Sequence, residues 1–274
     1  MYHRNQSRAG VTLTEVLVAI FVCGLGLMAL MTLFPLGAMN MAQAIKDDRC
    51  GHAAANATAV LRSVWRVSLE SGNMDPNLEA ALKQGPVYID PLGVNMFGPA
   101  PLQGGIPRMN LNNASFSQAV RWCSLLDDID FNPNATPVMA GAEVSRQGRF
   151  SWAWMVRWLR GAGDPRARAL EFQVVVYHNR PMTQSAGLVP VGESSFGATF
   201  QGADTAVVMG TPSVKKGGWV MDGQGYFYRV TSANNTGGSV IITVQTPFRN
   251  PQGGGGTLVF MDNVAEVFER STLE

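Results

Sequence analysis

Charge is what this sequence has least of. Lys, Arg, Asp and Glu make up 15% of its 274 residues, against about 25% in an average soluble domain. The 21 basic and 20 acidic residues nearly cancel, leaving a formal net charge of +1. With no basic excess to neutralise phosphates, nucleic-acid binding is excluded as a main function. Cysteine is also scarce, and three residues cannot build a disulfide scaffold. The three histidines are His3, His52 and His178, and none has metal-ligand spacing. No Gly-x-Ser-x-Gly nucleophile elbow occurs. The sequence therefore predicts no enzyme and no cofactor. Disorder is excluded by the ordinary hydrophobic share, 46%. Glycine is plentiful, at 30 residues.

The shortage of charge is concentrated near the N-terminus. Between Val16 and Ile45 there is no charged residue. As a helix, the 24 residues of VLVAIFVCGLGLMALMTLFPLGAM span about 36 Å, more than the ~30 Å hydrocarbon core of a bilayer. This predicts a membrane helix. The preceding segment, MYHRNQSRAG, carries Arg4 and Arg8 and no acid, which orients that end to the cytoplasm. A cleaved secretory signal fits less well, because the apolar run exceeds a typical h-region and no clear cleavage site follows it.

One acid interrupts the pattern. Glu15 lies five residues after Gly10, and a carboxylate at the start of a membrane helix is costly and tends to be functional. The string Gly10-Val11-Thr12-Leu13-Thr14-Glu15-Val16-Leu17-Val18-Ala19-Ile20 resembles the processing motif of type IV prepilins and type II secretion pseudopilins. The continuation, with Gly24, Gly26 and Leu27, looks most like minor pilins and pilus-modification proteins. The likeness covers about 35 residues closely, and the rest of the chain is matched only by general layout. Two positions depart from the family pattern: Val11 stands where Phe is usual, and Ala9 where Lys or Arg is common.

The resemblance implies cleavage between Gly10 and Val11 by a prepilin peptidase, methylation of Val11, and an assembly role for Glu15. It implies a precursor in the bacterial inner membrane with a cytoplasmic N-terminus. The mature head is then periplasmic or extracellular, and the partners are other pilin or pseudopilin subunits. The chemistry has a simple logic. A carboxylate in apolar surroundings needs a partner. The new α-amine on a neighbouring subunit supplies one and would fix the axial register of the two helices. The competing expectation is a signal-anchored periplasmic binding or enzymatic domain.

Pro35 breaks the apolar run by removing one helical hydrogen bond. Beyond Met39, Ala53, Ala57, Val60, Leu61, Val64, Trp65 and Val67 recur near helical spacing. An amphipathic continuation to about residue 70 is expected. The fold class expected is α+β, a long helix packed on a mainly antiparallel, pilin-like sheet. The divisions are a leader at 1–10, a membrane and assembly helix at 11–39 and its amphipathic continuation at 40–70. A Pro- and Gly-rich variable loop region at 71–149 and a sheet head at 150–274 complete the chain. Within the loop region, Val87-Tyr88-Ile89 reads as a short strand and residues 116–126 as a short helix. Gly253 to Gly256 read as a flexible turn.

Two constellations stay weak. Asp128, Asp130 and Asn132 place oxygens at alternate positions, like the opening of a calcium loop. Pro133 then stands where Gly is needed, and an Asx-rich turn is the preferred reading. Cys50 and Cys123 fall outside the membrane segment, and their spacing leaves their pairing open.

Overall fold

The computed structural model describes residues 12–71, 75–102, 104–125, 149–158, 170–180, 192–249 and 255–273. The chain divides into two units, Met1–Arg49 and Cys50–Glu274. The secondary structure is α+β, opening with one long helix, α1 (Leu13–Ser71).

In the first unit α1 is the only element described. Every residue from Thr12 to Ile45 is exposed. By length and composition this stretch could cross a membrane. Pro35 lies inside α1. Its ring leaves the Met31 carbonyl without an N–H partner at the usual i−4 spacing.

In the second unit the same helix becomes one-faced. Cys50, Ala53, Ala54, Ala57, Leu61 and Trp65 are buried, three to four residues apart, as one helical stripe requires. Small residues dominate the first half of this stripe, so a neighbour can approach the backbone closely. Trp154 uses that closeness, donating its indole N–H to the Ala57 carbonyl at 3.0 Å.

Short helices and strands follow: α2 (Pro76–Gln84), β1 (Val87–Ile89), α3 (Pro91–Phe97), β2 (Arg108–Met109) and α4 (Phe116–Cys123). Asp75-Pro76 and Asp90-Pro91 start α2 and α3 in the same way. Each Asp caps with its carboxylate and each Pro occupies the first helical position. Within 71–149 the described residues hold three short helices and two short strands. These build sheet and core: Leu78, Leu82, Val87, Leu92, Leu111 and Val120 are all buried.

The long strands come next: β3 (Phe150–Trp158), β4 (Leu170–His178), β5 (Glu193–Phe200), β6 (Thr205–Met209), β7 (Trp219–Asp222), β8 (Phe227–Thr236), β9 (Ser239–Val244), β10 (Gly255–Met261) and β11 (Val264–Leu273). They do not form one sheet. Strands β11-β4-β3-β1-β2 make a five-stranded sheet, and β10-β5-β6-β9-β8-β7 close into a barrel. All pairings are antiparallel except β1 with β2. The barrel is an insertion between β4 and β11. Closure comes from β10, which pairs with β5 on one side and β7 on the other, leaving no edge for aberrant pairing. Gly255 and Gly256 sit in β10 opposite Thr199 and Ala198, so that half of the glycine run is strand rather than turn.

The five-stranded sheet is buried on both faces. Trp152, Trp154, Val156, Phe172, Val174 and Val176 face the helices. Ala153, Met155, Val175 and Tyr177 join Met221, Phe227, Val259 and Met261 of the barrel. The barrel has its own interior of Ala198, Val208, Val220, Val230, Ile242 and Leu258.

Candidate functional site

The residues singled out from sequence lie mostly at the helix start. Gly10 and Val11 fall outside the described residues, as do Asp128, Asp130 and Asn132. Glu15 stands in the first turn of α1. Its Oε2 accepts from the Thr12 backbone N–H at 2.9 Å and from the Thr12 hydroxyl at 3.0 Å. The Glu15 N–H in turn lies 3.4 Å from Thr12 Oγ1. Thr12 is the N-cap and Glu15 the third helical residue, a reciprocal capping box that satisfies two otherwise orphaned donors. Its signal, Thr-x-x-Glu before an apolar run, is present in the sequence. The acid also stands at the positive end of the helix dipole.

Beyond Thr12 and Thr14, the surface that follows that acid is mainly apolar. Leu17, Ile20, Phe21, Met28, Leu30, Met31 and Phe34 are each more than 60% exposed. Monomeric soluble proteins rarely show contiguous apolar patches beyond a few hundred Å². By length and composition this helix is compatible with a membrane anchor.

A second constellation sits in the core of the head, and sequence gave no hint of it. Asp90 caps α3, accepting from the Gly93 N–H at 2.9 Å. Arg180, just past β4, clasps the same carboxylate with two bonds, Nη1 to Oδ1 at 2.8 Å and Nη2 to Oδ2 at 2.6 Å. Arg108 of β2 lies 3.8 Å from Asp90 Oδ2 and pairs with Glu193, the first residue of the barrel. Two cations and two anions thus balance in the interior. Gly93 is required here: a Cβ would stand 2.0 Å from Asp90 Oδ2.

Beside this cluster the Tyr88 and Tyr177 hydroxyls bond to each other. The Arg180 guanidinium covers the Tyr177 ring at 4.5 Å. Burial works to raise the Asp90 carboxyl, but the Arg180 and Arg108 charges and the Gly93 N–H hold it below its ordinary value. Burial raises Glu193 despite Arg108, and pushes Tyr177 up to about 12. The buried tyrosines stay protonated and act as hydrogen-bonding groups. The cluster ties α3, β2, the end of β4 and the start of the barrel together.

Cys50 and Cys123 lie as buried thiols in the core between α1 and the sheet. Burial raises the Cys123 thiol well above its usual range, which makes it a poor nucleophile. Among the described residues no group of three or more His, Cys, Asp and Glu could hold a metal ion. No family model, curated protein or solved structure matches this chain.

Proposed function

We propose that this chain is the precursor of a minor pilin or pseudopilin. In this reading a prepilin peptidase cuts after Gly10 in the inner membrane, and the mature chain joins a filament through the first half of α1. The observation that carries the reading is the helix itself. From Thr12 to Ile45 it is exposed and predominantly apolar, with one charged residue, Glu15, in its first turn. The head supports a structural role, because its buried charges serve packing and its thiols are sequestered.

The capping box refines the role of Glu15. In a single chain the carboxylate is held by Thr12. Cleavage after Gly10 would create an α-amine at Val11, one residue before the cap. In a filament the carboxylate can then exchange Thr12 for the amine of a neighbour, a registry use of an ion pair in apolar surroundings.

The charge and cap contributions separate experimentally, because Gln serves in a capping box as Glu does. Glu15→Gln keeps the cap and removes the charge, whereas Glu15→Ala removes both. Both variants are expected to insert and be processed normally, and both to be largely missing from sheared filaments on immunoblots. Normal incorporation of Glu15→Gln would reduce Glu15 to a helix cap and sink the registry role.

A further inference from the structure

A groove of about 390 Å³ lies between the α2–β1 junction and the tip of the β7–β8 hairpin, within the usual size range of ligand sites. It is lined by Lys83, Gln84, Pro86, Arg157, Trp158 and Gln224, among others, and among the described residues no carboxylate lines it. Arg157 is its most unusual member, because its side chain is only 9% exposed. Its Nη2 donates to Gln173 Oε1 at 3.2 Å and to the Gly225 carbonyl at 3.0 Å. Its Nη1 has no hydrogen-bond partner among the described residues, and neither has the Trp158 indole N–H. A buried donor without an acceptor costs about 1–3 kcal/mol, more when charged.

The neighbouring groups do not remove this surplus. Glu171 stands 3.8 Å from Arg157 Nε, too far for a hydrogen bond, and lies 3.9 Å from Arg249 as well. The Tyr226 ring lies under the Arg157 guanidinium at 3.6 Å and under Arg249 at 4.3 Å. That stacking holds the guanidinium plane in place. Lys83 at the rim is exposed and pairs with Glu79 at 2.8 Å, so the unsatisfied capacity of the groove is the unused donors of Arg157 and Trp158, set between the apolar walls of Pro86 and Trp158.

We propose that this groove binds a carboxylate presented by a peptide segment of a partner protein. A guanidinium is planar and matches carboxylate geometry. The apolar walls suit the stem that carries an acidic group on a peptide, which a bare phosphate lacks. The proposal stands on the groove alone and does not depend on the filament reading.

The test is isothermal titration of the full chain in neutral detergent micelles. The probes are the acetylated tripeptide Ala-Leu-Glu with a free C-terminal carboxylate, its Ala-Leu-Gln amide, and inorganic phosphate. The acidic peptide is expected to bind and the amide not to. Lys83→Glu changes an exposed side chain and breaks its exposed pair with Glu79, a small loss that the fold tolerates. Reversing that charge should weaken binding about fivefold, the upper range of an exposed ion pair. Arg157→Lys keeps the charge but loses the planar fork, and should weaken binding about tenfold or more. Equal binding of acid and amide, no binding of either, or binding unchanged in Lys83→Glu overturns the proposal. Phosphate binding in preference to the peptide also overturns it, assigning the groove to phosphate chemistry.

Discussion

At the scale of single residues, the head depends on a charge held where water cannot reach. Asp90 takes two bonds from Arg180 and one from the Gly93 N–H. Asp90→Asn leaves a buried guanidinium uncompensated and should cost about 3–5 kcal/mol at neutral pH. The pH dependence has a definite sign. The Asp90 carboxyl is lowered on folding, so its contribution is complete above the unfolded value, about 3.9. It is lost as pH falls through the lower, folded value. Glu193, raised by burial, works the other way and favours folding as it takes up its proton. Urea unfolding of both proteins from pH 7 down to about 3 should show the gap between wild type and Asp90→Asn narrowing below about pH 4. A gap constant with pH would contradict the assignment. None of this cluster was legible in the sequence, because Asp90, Arg108, Arg180 and Glu193 meet only through the tertiary fold. Glu15 was legible as an acid at the start of the apolar helix, but its bonds to Thr12 were not.

At the scale of elements, α1 carries two different surfaces on one helix. Its apolar first part was plain from the missing charges. Its second part was plain from the spacing of Ala53, Ala57, Leu61 and Trp65, although the tight approach of Trp154 to Ala57 was not. That contact predicts intolerance of volume. Ala57 is fully buried, and Ala57→Leu should destabilise the head by about 1–3 kcal/mol or more through overpacking. The exposed Arg62→Ala on the same helix should change little. Thermal unfolding followed by circular dichroism compares the two, and equal melting temperatures would contradict the packing described. β3 was legible as an aromatic, roughly alternating strand from Ser151 to Trp158, but the burial of both its faces was not. It is apolar at nearly every position because both its faces are covered. Alternation, the usual sign of a half-exposed strand, is therefore blurred.

At the scale of the molecule, a charge-poor chain has resolved into a helix and a head with different reasons for avoiding charge. The helix is apolar along its exposed length. The head buries a sheet on both faces and closes a second set of strands into a barrel. Positions of the later strands could be read from turn signals, but their partition between sheet and barrel could not. That partition rests on long-range pairing, β10 with both β5 and β7, and β11 with β4. Short strands with turns between them satisfy a sheet and a barrel equally well.

The central claim is that the chain begins its working life at Val11, and the mature N-terminus tests it most directly. Mass spectrometry of the protein purified from membranes should find a chain starting at Val11 and carrying an added methyl group. A chain beginning at Met1, or one cut near Ala44 as an exported protein would be, would contradict the account.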